Sequence, residues 1–379
     1  MKFQPFVMER MMSKLENEVD YNLSESGVHP VLLSELLDND SKQIEALLAT
    51  ELNYPHANGI PELRENIAAL YIGARPKNVL VTVGAIEANF LAIRTLLDEG
   101  DEIVVMLPNY MQIWGIAKNH GLNVKTFNLI EKDGWAPDLK ELESVVTPNT
   151  KLIAICNPNN PTGRILAEQE MKWIIDIASR SGAWILADEV YTGAERTVDE
   201  ETQSFYSRYE RVIAVGSMSK AYGLPGLRTG WAVGPEDVID EMWARHEYLA
   251  ISTTMLSNKL TALALSPEVR PRLIARTRKL IREGYPVLQD WMDQQEGLFS
   301  LTPPEAAAIA FVKYNLDINS TEFVELLYKE KSVLIVPGDH FGLDHHVRIS
   351  FGLPHNYLNA ALDRIREMFD EIREKGVSA

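Results

Sequence analysis

The stretch SMSKAYGLPGLRTGW, residues 217–231, decides how this chain is read. It follows an apolar run, Val212 to Val215, short enough to be a buried strand. Beyond that run stand two hydroxyls, Ser217 and Ser219, and then Lys220, Gly223, Gly226 and Arg228. Desolvation or neighbouring cations can make a lysine a neutral nucleophile, whereas an arginine stays charged. Lys220 is therefore the candidate for covalent attachment and Arg228 the candidate for a permanent phosphate partner. Taken alone, the segment reads equally well as a surface loop.

The same strand-then-motif arrangement recurs upstream. NPNNPTG (157–163) follows the apolar run Leu152 to Ile155, and ADEVY (187–191) closes the run Trp184 to Ala187. TVGAIEA (82–88) ends a run from Val79 to Val83 and opens a helical pattern, so its backbone N–H groups and helix dipole suit a phosphate. With Glu102 to Met106, Val124 to Phe127 and Gly230 to Val233, these runs make seven strands alternating with helical patterns. That is the rhythm of an α/β fold with a mostly parallel sheet covered on both faces. Such sheets bind ligands at the C-terminal ends of their strands, so the motifs converge on one edge.

Past Pro235 helices take over, including a charged stretch from Val269 to Gln294 that reads as a bridge between domains, bent near Pro286. Strands are expected at Ala307 to Val312, Val333 to Val336 and Val347 to Phe351, and a helix from Asn356 to Lys375. These belong to a smaller α+β domain.

Composition narrows the function classes. The 379 residues carry 37 Lys and Arg against 54 Asp and Glu, a net charge of −17. Broad binding to nucleic-acid backbones or anionic membranes needs the opposite balance. The one cysteine, Cys156, forms no intrachain disulfide and reads as a core residue. His345 and His346 lack metal-site spacing, so no metal is expected, and Asp199 to Glu201 read as a solvated loop. Glu9, Arg10, Lys14 and Glu16 interrupt any apolar leader, and no run reaches the ~20 apolar residues of a membrane span. A soluble, cytoplasmic protein is expected.

Taken together and in order, TVGAIEA, the PNY of residues 108–110, NPNNPTG, ADEVY and SMSKAYGLPGLR closely resemble the class I/II aminotransferases, fold-type I enzymes that use pyridoxal 5′-phosphate (PLP). The spacings agree as well: 28 residues from Asn160 to Asp188 and 32 from Asp188 to Lys220. The resemblance covers nearly the whole chain. It implies a large PLP domain over residues 46–285 and a small domain built from both chain ends, 1–45 and 286–379.

The resemblance also implies roles. Lys220 would hold PLP as a Schiff base and move the substrate's α-proton, and Asp188 would pair with the pyridinium nitrogen. Tyr191 and Asn160 would hydrogen-bond the ring's phenolate oxygen, and Tyr110 would stack on the ring. The phosphate would be held by Ser217, Ser219, Arg228 and the backbone of Gly84, Ala85 and Ile86. Many relatives have a hydroxyl where this chain has Ile86, so the amides and Arg228 carry more of the load. Thr229 also replaces a usual aliphatic residue. Arg348, in VRISFG, matches the arginine that takes the substrate α-carboxylate through two parallel bonds. Tyr54 matches a tyrosine that reaches the partner subunit's phosphate, which implies a homodimer.

The N-terminal segment NLSESGVHP (22–30) lies where relatives cover the substrate with an apolar, Gly-rich run. Its SGVH core resembles that of capreomycidine synthase, a PLP enzyme of the same fold that cyclises a hydroxylated arginine. Here Glu25, or Glu9, would pair with a guanidinium, Gly27 would lie by the substrate and His29 would move a proton. Local capping by Glu25 and packing of His29 before Pro30 account for the same residues without function. The leading expectation is an aminotransferase acting on an L-amino acid and a 2-oxo acid. The alternative is a cyclase or dehydratase of the capreomycidine-synthase type, and a PLP-binding regulator without turnover is a third, remote reading.

Overall fold

The structure is a computed structural model that describes residues 3–295 and 297–375. All seven expected runs form strands of one sheet, in the order Val79–Thr82, Gly230–Val233, Val212–Ser217, Trp184–Asp188, Thr150–Cys156, Glu102–Leu107 and Asn123–Ile130. The five from Val212–Ser217 to Asn123–Ile130 are mutually parallel. Gly230–Val233 runs antiparallel to both its neighbours. The sheet has an eighth strand, Ala136–Pro137, antiparallel at its outer edge. At two residues, one of them proline, it is too short to leave an apolar run in the sequence.

The inner strands form because Val, Ile, Leu and Ala occupy both faces and both faces are buried, whereas Asn123–Ile130 near the edge is mostly half-buried or exposed. Val79–Thr82, Val212–Ser217 and Gly230–Val233 have every residue buried. Helices Gly84–Leu96, Glu168–Ser181 and Glu236–His246 are among those that cover the sheet. Register brings the functional strand ends level: Cys156 pairs with Asp188, Asp188 with Val215, and Ser217 with Gly230. Gly230 itself must be glycine, because a Cβ there would lie 2.3 Å from the Ala85 nitrogen.

A second sheet, antiparallel, has the order Phe299–Ser300, Ile309–Tyr314, His346–Ser350, Val336–Pro337. The expected strand Val333 to Val336 divides: Val333–Leu334 pairs in parallel with Tyr21–Asn22, and Val336–Pro337 joins the antiparallel sheet. The two halves satisfy two different sheets, a division that a continuous apolar run does not announce. The chain ends therefore meet through Tyr21–Asn22. The strand expected from Ala307 starts at Ile309, since Ala307 turns with φ at 67°. Helix Arg270–Asp293 is continuous through Pro286. Among the described residues, no helix is long and apolar enough to cross a membrane.

Candidate active site

A cavity of about 350 Å3 opens at the level strand ends. It gathers Ala85, Ile86, Tyr110, Asn160, Asp188, Tyr191, Ser217, Ser219, Lys220, Arg228 and Arg348, together with Glu9 and Glu25 from the N-terminal segment. A larger cavity, about 690 Å3, is lined by Tyr71, Glu189, Tyr222, Trp231 and Arg270; of the expected site residues it holds only Ser217. The smaller cavity carries the convergent chemistry.

Asp188 ends its strand at 7 % exposure. Burial pushes its carboxyl up, offset by hydrogen bonds from Asn89 Nδ2 at 2.9 Å and the Val190 N–H at 3.3 Å. Lys220 lies three residues past the end of the Val212–Ser217 strand. Burial pulls its ammonium down, and Arg348 and Arg228 act in the same direction against Glu25, whose Oε2 is 3.9 Å from Nζ. That is the environment of a nucleophilic lysine.

Arg348, 2 % exposed, lies on the His346–Ser350 strand. Its Nη1 donates to Asn160 Oδ1 at 2.9 Å and its Nη2 to the Ser24 carbonyl, while Nε is buried without a partner. Tyr191 donates from its hydroxyl to Ser26 Oγ at 2.9 Å, and burial pushes its phenol up. Tyr110 donates to Glu9 Oε1 at 2.6 Å, and its ring meets Phe6 edge-on at 5.0 Å.

The anion end is equally compact. Gly84 has φ at 74°, and a Cβ there would stand 2.8 Å from Arg228 Nη2. The guanidinium thus lies directly over the first turn of helix Gly84–Leu96. Arg228 itself is left-handed, with φ at 48°. Ile86, 42 % exposed, offers no hydroxyl. Cys156 is buried and its thiol is pushed up by burial.

Four expected residues stand apart from the cavity lining: Gly84, described above, and His29, Gly27 and Tyr54. The His29 side chain is exposed; the residue's backbone N–H donates to the Gly352 carbonyl and its backbone carbonyl accepts from Arg276. Val28, 4 % exposed, takes the inward direction, so its successor faces out. Gly27 packs behind the lysine, where a Cβ would meet the Ser219 carbonyl at 3.0 Å. Tyr54 is 82 % exposed.

The cavity also contains Ser26 of the SGVH core and residues that the motifs did not single out: Glu16, Asn89 and Gln112. Glu16 caps helix Val7–Leu15, and Glu9, Met12 and Glu16 follow the spacing of one helix face. That spacing is a signal available in the sequence. Burial, then the like charges of Glu25 and Glu9, push the Glu16 carboxyl up. Three glutamates, besides Asp188, thus share a cavity with Arg348.

Residues 22–365 match the family model described as aminotransferase class I and II. Capreomycidine synthase of Streptomyces vinaceus is 32% identical over 355 residues, 91% of this chain and 89% of its own. Aspartate aminotransferase of Pyrococcus horikoshii is 30% identical over 329 residues, 84% and 83% of the two chains. Among solved structures, a PLP-dependent aminotransferase from Streptococcus suis 89-1591 matches with a TM-score of 0.91 at 31% identity, covering 98% of this chain and 99% of that one. With motif order, sheet topology and strand-end cavity in agreement, this chain belongs to the class I and II aminotransferase family.

Proposed function

We propose that this protein holds PLP through Lys220 and moves an amino group between an L-amino acid and a 2-oxo acid. The observation that carries the reading is one cavity in which a buried carboxylate, Asp188, a lysine held toward neutrality, Lys220, and a buried arginine, Arg348, stand together. The residues fit the cofactor: a carboxylate for the ring nitrogen, hydroxyls of Ser217 and Ser219 and Arg228 over the Gly84 turn for the phosphate, and Tyr110 for the ring face. When bound, PLP supplies an electron sink for the pair left at Cα.

The chain's own residues do the rest. Lys220 takes the α-proton and returns it, because burial lowers its ammonium's pKa and so favours the neutral amine that can accept a proton. Arg348 takes the α-carboxylate on a guanidinium already oriented by Asn160 and Ser24. The substrate we assign has a cationic side chain, opposed by Glu9, Glu16 and Glu25.

The same carboxylates and the likeness to capreomycidine synthase favour a second reading, a cyclase or dehydratase acting on a hydroxylated arginine. Mixing the PLP-loaded enzyme with single amino acids and no acceptor separates the two. Transamination accumulates aminated cofactor and stoichiometric 2-oxo acid. Repeated turnover of arginine-type substrates without a 2-oxo acid selects the cyclase. Borohydride reduction should link PLP to wild type and not to Lys220→Ala.

The reading includes a homodimer, supported by the exposure of Tyr54 with Leu48 and Leu52 nearby in sequence, and a cytoplasmic location, where Cys156 stays reduced. It also divides the chain into a large domain, 46–285, and a small one, 1–45 with 286–379; the later boundary falls inside helix Arg270–Asp293. Sedimentation equilibrium giving a monomer would reject the dimer.

A further inference from the structure

The helix that presents its amides to the anion end carries a carboxylate in its own first turn. Glu87, 8 % exposed, uses Oε2 to accept the Val83 N–H at 2.6 Å. This closes the entry turn, whose N-cap residue, a valine, has no side-chain hydrogen bond. Its other oxygen, Oε1, lies 2.9 Å from Nδ1 of His246, the last residue of helix Glu236–His246. His246 is fully buried and its Nε2 has no partner. Its backbone is pinned as well: the carbonyl accepts from the amides of Leu249, Ala250 and Ile251 at 3.0, 3.0 and 3.3 Å.

An acidic side chain in a first turn complements the helix dipole, but a buried one also repels any second anion brought to the same amides. A hydrogen-bond donor on its far side draws that charge away from the anion. The balance matters more here because Ile86 contributes no hydroxyl. Glu87 and His246 are both absent from the cavity lining, so whatever they do is done through the helix and the field.

We propose that His246 is a positioning residue for the cofactor's phosphate: by holding Glu87 and offsetting its charge, it keeps the Gly84, Ala85 and Ile86 amides aimed at a phosphate dianion. The inference rests on the PLP reading above.

The test compares binding of PLP and of pyridoxal, the same aldehyde without the phosphate, to cofactor-free protein by absorbance titration and equilibrium dialysis. His246→Leu should weaken PLP about tenfold and pyridoxal less than about twofold. His246→Gln, which keeps a donor to Glu87, should stay within about threefold of wild type for both. In the Glu87→Gln background no buried charge needs offsetting, so adding His246→Leu should cost PLP less than about threefold. Thermal melts identify any variant that has not folded, and the Gln variants then carry the comparison. Equal loss of PLP and pyridoxal in His246→Leu, an unchanged ratio, or a full tenfold loss in the Glu87→Gln background overturns the role of His246. A wild type that forms no lysine-linked chromophore with PLP overturns the PLP reading itself and this inference with it.

Discussion

Asn89→Ala probes the point at which the sheet meets the candidate chemistry. The Asn89 side chain, 1 % exposed, donates from Nδ2 to Asp188 Oδ2 at 2.9 Å and to Gln112 Oε1 at 3.2 Å. The other hydrogen bond to the Asp188 carboxylate among the described residues, from Val190, is long at 3.3 Å. A hydrogen bond to a charged group contributes about 1.5–3 kcal/mol, and its removal leaves the buried carboxylate poorly satisfied. Together with a small packing loss, Asn89→Ala should cost about 3 kcal/mol of folding stability. In an Asp188→Asn background the charge is gone and the same change should cost about 1 kcal/mol. The assay is urea unfolding of the four cofactor-free proteins, read as a double-mutant cycle with an expected coupling near 2 kcal/mol. A coupling below about 0.5 kcal/mol would show that Asn89 does not support Asp188, and the account of that carboxylate would fall.

Three further predictions concern stability alone. Burial pushes the Glu189 carboxyl from 4.5 up to about 7, against hydrogen bonds from Ser204 and the Phe205 N–H. A raised folded-state value means the protonated form is favoured by folding, so its stability is full below about pH 4.5 and is lost as pH rises through about 7. Glu189→Gln should therefore gain on wild type by up to about 3 kcal/mol between pH 5 and pH 8, and a constant difference in urea midpoints across that range would contradict it. Gly→Ala within a helix usually stabilises by about 0.8–1 kcal/mol, and Gly115→Ala, whose Cβ meets nothing within 4 Å, should follow that rule. Gly284→Ala should do the reverse, because its Cβ would lie 1.9 Å from the Phe351 carbonyl oxygen, and should cost about 3 kcal/mol in calorimetric melting.

Much of the site was legible before any coordinates. Strand-end motifs can be read because period and punctuation are local: an apolar run ends, and Gly, Pro, Asn or a hydroxyl follows. Lys220, Asp188, Asn160 and Tyr191 occupy such positions, and all line the one cavity. Partners chosen by folding were not legible. Asn89 lies 99 residues from Asp188, and Ser26 lies 165 from Tyr191. Nothing local marks either as a donor or acceptor for a distant group. His29 shows the opposite failure, since alternation about a buried Val28 turns a motif histidine to solvent.

The order of motifs along the chain was enough to establish an α/β protein with its chemistry on one sheet edge, because strand propensity and turn chemistry are written residue by residue. Which way Gly230–Val233 runs, how the run at Val333 is shared between two sheets, and how Arg348 comes to face Asn160 across 188 positions of sequence depended on long-range packing. So did the gathering of Glu9, Glu16 and Glu25 around one cavity. The cost of burying a charge is settled by its three-dimensional surroundings, and those exist only once both ends of the chain have met.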